Sequence, residues 1–536
     1  MVAALALATA LAVSQDGHQD APPPSTASIL EAAKRSVPLR TGIGVAHDAV
    51  ATTSTQAQAF YDQGLAYLHS YVWLEAARSF NQALALDPNL AIAHAQLSLA
   101  YTELNAPAAA RSALERANVL ASRANDHDRR HIALRGKQME AEVAGSGSGR
   151  TPQDGAKLPA YRQALDEALT LFPKDGELWL LRGMAESTDP AERGQGSVAA
   201  SIPFYDKALA LAPGASTPHH YLSHAYENSG RLDAAIKQGA AYAAMAPKIP
   251  HARHMRGHDL MRSDRMAEAI AEFQAADALE SAYFEAEKIP VEMDWHYQHN
   301  LDLLGQAYQY AGQMAKAEAV FTRSFAIASS LVVQEFNKRE WIVFLLARGR
   351  AAEALEAARV MASHRSPLVS AGGHVQAGHA MLALGQFKAA ADEGNAALHL
   401  IQGVEGGGLI AVPLQTFQAE FFLRTKQIDK ARPALEEAAR KARLQSGPDN
   451  FIQTLFTLEA MARAAREAGE WDLAGWAARQ MTAHDPNYAG SHYALALVAQ
   501  HAGDQKTAAA ELALAGKYWS TADADLPELK AIRQGR

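Results

Sequence analysis

The sequence predicts an all-α fold, a solenoid of roughly ten to twelve helix pairs stacked along one axis. Three observations carry that reading. A spaced set of small and aromatic residues recurs with a period of about 34 residues. No run of alternating β-branched residues competes with the helical period. The length, 536 residues, exceeds one ordinary core but suits an array in which each unit contacts only its neighbours.

The first pair is the clearest. In AFYDQGLAYLHSYVWLEAARSFNQALALDPN, the small residues Gly64, Ala76 and Ala83 let two antiparallel helices approach, while Phe60, Tyr67 and Phe80 fill the space around them. Pro88 then stops the second helix. This joint pattern resembles the tetratricopeptide repeat (TPR). The resemblance implies helix hairpins wound into a right-handed superhelix, whose concave groove holds a peptide or protein partner.

The same template recurs at Trp179 and Gly183, then at Tyr226, Ala235 and Pro247. It continues at Gly257, Ala269, Phe273 and Ala276, and after an insertion at Gly305, Tyr308, Ala317 and Phe321. Gly378, Ala390 and Ala397 anchor a later copy, Ala419, Ala431 and Ala438 another, and Ala474 with Pro486 a third; Ala508 and Ala515 close the series. The expected layout is a flexible segment over 13–54, an N-terminal repeat block over 55–143, and a Gly/Ser linker at 144–155. A central array over 156–400, a Gly-rich loop at 401–408 and a C-terminal block over 409–536 follow. The stretch from Glu280 to Trp295 reads as a lengthened connection. The glycine run GVEGGG has no preceding strand and no following Lys-Ser or Lys-Thr, so it reads as a loop and not as a phosphate cradle.

Composition excludes several kinds of chemistry. With no cysteine there is no disulfide framework, thiolate nucleophile, Cys-based zinc site or iron–sulfur cluster. Fifty basic against 58 acidic side chains, net charge -8, supply no basic field for nucleic acid. No GxSxG elbow appears, and no catalytic residue is assigned. Residues 1–12, MVAALALATALA, resemble the apolar region and small-residue cleavage site of a signal peptide but lack its usual basic start. They predict a periplasmic or secreted protein, the alternative being a cytoplasmic protein with a disordered tail. No other apolar run approaches the ~18 residues of a membrane span.

The one compositional excess is histidine. Of 21 in the chain, eight fall between His219 and His299. On the repeat register, His220 and His224 occupy positions five and nine of one repeat, and His254 and His258 the same positions of the next. Each pair is spaced i,i+4 and so lies on one helix face. His251 and His299 take position two of their repeats. By the tetratricopeptide resemblance, positions two, five, nine and twelve of the first helix line the groove, which adds Glu227 and Asp302. Imidazoles facing one another across helices roughly 8–10 Å apart can meet at a point about 2 Å from each nitrogen. Such a point is a transition-metal site, with Glu227, Asp259, Asp302 or Asn300 as further ligands or as partners orienting the rings. Nitrogen and oxygen donors suit zinc, copper, iron or nickel without choosing among them. The competing reading makes these histidines hydrogen-bonding contacts to one another or to a bound peptide, with His219 and His296 as packing residues.

The same segment resembles a bacterial subgroup of tetratricopeptide proteins carrying HY..H, PH..HM..H and Y.HN blocks. Here these are His220, Tyr221 and His224; Pro250, His251, His254, Met255 and His258; and Tyr297, His299 and Asn300. The subgroup implies no settled activity. Where it has a Phe-Asn-His turn, this chain has Tyr71, Val72, Trp73 and Leu74, so that histidine is missing. Tyr61, Tyr67, His69, Tyr71 and Trp73 form an aromatic patch that reads as core packing or as a peptide-binding edge. The expected function is therefore a binding scaffold with a groove for a peptide or protein and a histidine-based metal site. The alternative is a metal-dependent enzyme of unassigned reaction using the same ligands.

Overall fold

The computed structural model describes residues 24–145, 155–187, 196–402, 408–444 and 450–533. The signal-like run 1–12, most of the linker at 144–155 and most of the loop at 401–408 lie outside them. Among the described residues there are helices and no strands. After α1 (Thr26–Ala33) come hairpins α2/α3 (Thr55–Leu68, Trp73–Leu86), α4/α5 (Ala91–Glu103, Pro107–Leu120) and α6/α7 (Asp126–Gly145, Lys157–Leu171). Next are α8/α9 (Gly176–Met184, Ile202–Leu211), α10/α11 (Thr217–Asn228, Leu232–Met245), α12/α13 (Pro250–Met261, Met266–Glu287) and α14/α15 (Trp295–Tyr310, Met314–Ala326). The short α16 (Val332–Asn337) leads into α17/α18 (Arg339–Ala347, Ala351–Ala362) and α19/α20 (Pro367–Ala383, Phe387–Leu400). The chain ends with α21/α22 (Gly408–Arg424, Ile428–Leu444), α23/α24 (Asn450–Glu467, Trp471–His484), α25/α26 (Ala489–His501, Gln505–Tyr518) and α27 (Pro527–Arg533). This is the predicted solenoid of tetratricopeptide-like pairs.

The repeat template acts through close approach. A Cβ on Gly257 would lie 2.6 Å from the ring of Phe273, and one on Gly305 2.8 Å from the ring of Phe321. Only glycine lets the second helix seat its ring there. Ala235, Ala269, Ala317, Ala390, Ala431 and Ala515 are sealed between the helices of their pairs. The turn inside most of the described hairpins holds one left-handed residue. Gly230, Gly312, Gly349, Gly385, Gly469 and Gly503 supply it at low cost, and Asn105 and Asp264 do so tolerably. In the first hairpin that residue is Tyr71, at φ 59°. A bulky side chain there is strained by about 1–3 kcal/mol and persists only where its surroundings over-determine it.

The insertion at 280–295 is mostly helix, not loop. It lengthens α13 to 22 residues, and the added turns grip the first hairpin. Arg78 Nη1 donates to Glu287 Oε2 at 2.9 Å, Tyr283 OH donates to Glu75 Oε1 at 2.8 Å, and Arg40 also pairs with Glu287. The indole N–H of Trp295 donates to the Tyr71 carbonyl at 3.0 Å. The first hairpin thus folds back onto α10, α12 and α14, far along the chain. At the other end, Tyr310 OH donates to Asp485 Oδ2 at 2.7 Å, and the Ala315 N–H donates to Asp523 Oδ2 at 2.8 Å. One buried apolar cluster accordingly runs from Ile29 to Tyr488.

Candidate metal centre

Three parallel first helices carry the histidines. His220 and His224 project from α10, His251, His254 and His258 from α12, and His296 and His299 from α14. Proline at the start of α10 and of α12, and Asp294 accepting the His296 and Tyr297 N–H groups at the start of α14, fix where each helix begins. That sets the register of every ring.

The structure brings together all six predicted histidines, in two triads. His220, His224 and His251 form the first and His254, His258 and His299 the second, with ligand nitrogens within 4.8 Å of one another in each. In both, an i,i+4 pair meets position two of the following repeat, so the second triad is the first displaced by one repeat. Tetrahedral nitrogens about 2.0–2.1 Å from an ion lie about 3.3 Å apart, so small ring rotations would close either set. In the first triad, His220 Nε2 is 2.9 Å from His251 Nε2 and 3.1 Å from His224 Nε2. The rings of His251 and His254, 5.7 Å apart, join the triads.

Hydrogen bonds behind the rings define which nitrogen is free. His220 Nδ1 donates to the His69 carbonyl at 2.7 Å, leaving Nε2 as the lone pair facing its neighbours. The Asn300 side-chain N–H donates to the Phe273 carbonyl at 3.0 Å, so its Oδ1 faces His254 and accepts from Nδ1 at 3.0 Å. His254 Nε2 is then unprotonated and buried, with no hydrogen-bond partner. His296 repeats the device, with Nδ1 2.5 Å from Glu280 Oε1 and a buried Nε2 without a hydrogen-bond partner. An Nδ1–H on a carbonyl or carboxyl with Nε2 presented inward is the arrangement that orients metal-ligating histidines. An unpaired buried lone pair costs about 1–3 kcal/mol, and a cation would relieve it. The donor set fits a borderline transition metal; it lacks the oxygens that calcium or magnesium require.

The electrostatics agree. Burial, reinforced by neighbouring imidazoles, holds His220, His251, His254 and His296 well below the usual histidine range. Burial brings His224 down to about 4. These rings are neutral near pH 7, the form that binds metal.

Of the predicted partners, Asn300 holds His254, and Glu227 Oε1 lies 3.9 Å from His258 Nδ1 while accepting from Arg262 at 3.3 Å. Asp259 and Asp302 turn to serines, accepting from Ser223 at 2.9 Å and Ser324 at 2.6 Å. Neither is in a triad. His219 bonds Gln238 at 2.6 Å and stands apart from the triads.

The histidines are not an open groove wall. All but His299 are buried, and the first hairpin covers the first triad. Tyr71 rests its ring 4.7 Å from His220 and 4.8 Å from His251. Trp295 stacks 5.0 Å from Trp73 and 6.0 Å from His299. His69 Nδ1 bonds Tyr221 OH at 2.8 Å, and its Nε2 lies 3.0 Å from both Glu177 oxygens. The strained turn is therefore the lid of the first triad. Sequence reasoning left His296, Tyr71 and Glu280 out of the site. A signal was present for His296, three residues before His299, but none for a lid arriving from over a hundred residues away.

The chain matches no protein-family model and no curated protein. Several solved structures are similar to it. The Cut9–Hcn1 hetero-tetramer of the APC/C is 14% identical, with 89% of this chain and 96% of that one covered and a TM-score of 0.29. Yeast Tom70 is 14% identical over 89% and 94%, TM-score 0.33. A tetratricopeptide repeat protein from Parabacteroides merdae is 15% identical over 53% and 99%, TM-score 0.34. No helix among the described residues is long and apolar enough to cross a membrane.

Proposed function

We propose that the protein is an exported tetratricopeptide-type scaffold built around a buried, all-histidine transition-metal centre of two adjoining triads. The observation that carries the reading is His254 Nε2, a lone pair fixed inward by Asn300 with nothing to accept from. Each triad leaves a fourth coordination position, and the second is nearer solvent because His299 is only half-buried. The ions would be zinc, copper, iron or nickel. Partner binding is assigned to a site away from the histidines. A cavity of about 410 Å³ between α17, α19, α21 and α23 presents Arg339, Arg424 and Arg463 beside Glu340, Glu420 and Glu467. Such mixed charge suits a peptide segment of a partner protein.

Elemental analysis of tag-free protein tests the metal reading. Native protein should carry stoichiometric metal, and the His224→Ala/His258→Ala double variant, which removes one ligand from each triad, should lose the triads' share of it. A native protein that neither carries nor takes up metal would sink the proposal. Intact mass of protein recovered from the periplasm or medium tests export, which predicts loss of residues 1–12.

A further inference from the structure

A second cluster, near the first hairpin, belongs to a different chemistry. Asp48 comes from the extended segment before α2, His127 and His131 from successive turns of α6, and Asp175 from the start of α8. Ligand atoms of Asp48, His127 and His131 lie within 4.8 Å of one another. His127 Nε2 is 3.2 Å from Asp48 Oδ1 and 3.1 Å from Asp175 Oδ2, and His131 Nε2 is 2.7 Å from that same oxygen. The supporting bonds face outward. His127 Nδ1 meets Asp128 Oδ1 at 3.0 Å, Asp128 Oδ2 accepts from the Ala51 N–H at 3.0 Å, and Asp175 Oδ1 accepts from the Leu178 N–H at 3.0 Å.

The hydrogen bonding alone is lopsided. Asp175 Oδ2 serves both imidazoles, while Asp48, 92% buried by its 8% exposure, keeps an Oδ2 with no hydrogen-bond partner. A buried carboxylate oxygen left in that state is costly. A divalent ion at the centre would take one atom from each of the four side chains, and its two charges would balance Asp48 and Asp175. Asp128 behind His127 supplies the carboxylate–histidine–metal relay seen where a ligand's tautomer is fixed.

We propose that Asp48, His127, His131 and Asp175 bind one divalent first-row ion of mixed nitrogen and oxygen preference, such as zinc or manganese. The ion clamps the segment before α2 to α6 and α8. This site is independent of the histidine triads, sharing no ligand with them.

The test uses the full chain and Zn²⁺ as the probe. Equilibrium dialysis should show Asp48→Asn binding one ion fewer than native, while His224→Ala/His258→Ala keeps this ion. Hydrogen exchange at the amides of residues 48–52 should slow by at least about tenfold on adding Zn²⁺ to native protein and be indifferent to it in Asp48→Asn. Equal stoichiometry in native and Asp48→Asn protein, with exchange in this segment insensitive to Zn²⁺, would show an ion-pair network only and overturn the site. Exchange in native protein with and without Zn²⁺ gives the answer even if the variant does not fold.

Discussion

At the scale of the residue, the centre is an exercise in fixing tautomers. Asn300 decides which His254 nitrogen faces inward because its own amide N–H is committed to Phe273. Asn300→Leu removes the acceptor and should weaken metal binding about 10–100-fold while helical content is retained. Competition with a chromophoric chelator checks this, and unchanged affinity would mean that His254 is not a ligand. Acid sensitivity follows from the neutral rings. His224 has its proton affinity lowered by burial to about 4 in the folded chain, against about 6.5 unfolded. The unfolded state therefore binds the proton first, and stability is full above about pH 6.5 and lost progressively as the pH falls towards 4. Some 3 kcal/mol is at stake for this ring alone. Metal-free protein should melt at steadily lower temperature across that window; a flat profile would contradict buried neutral imidazoles.

At the scale of the element, the repeat works through glycine beneath an aromatic ring. Gly257→Ala pushes a Cβ to 2.6 Å from Phe273, so overpacking of about 1–3 kcal/mol should outweigh the gain in helix propensity. Gly136→Ala in α6, where nothing lies within 4 Å, should instead stabilise by up to about 1 kcal/mol. Urea midpoints for the two variants should move in opposite directions. The hairpins were legible in sequence because this contact is local: Gly257 and Phe273 are 16 residues apart, on the two helices of one hairpin. The pairing of His220 with His254 by register was legible for the same reason. What was not legible depends on the lengthened α13. Its extra turns place Glu280 behind His296 and grip the first hairpin, and a composition of Glu, Ala and Tyr does not announce where a helix will dock. The lid residue escaped as well, because Tyr71 at a left-handed turn reads from sequence as one more packing aromatic.

At the scale of the whole molecule, both ends of the array fold back onto its middle. The first hairpin covers the first triad and the last helices brace α14 and α15. Stability should therefore be shared along the chain and linked to the metal. Loading at a hundred times the dissociation constant would add about 2.7 kcal/mol per site. Chelator-treated protein should melt earlier than metal-loaded protein in calorimetry, and the difference should shrink in His224→Ala/His258→Ala to the part owed to the ion at Asp48 and Asp175.

The lid at Tyr71 bears on time as much as on energy. An ion in the first triad, covered by Tyr71, would leave when the first hairpin lifts from α10 and α12. Its exchange with solvent would follow the opening rate of that hairpin and not its affinity. The hairpin also emerges from the ribosome before the helices it covers. The order in which chain and ion arrive thus decides whether the centre is filled at birth or waits for the strained turn to breathe.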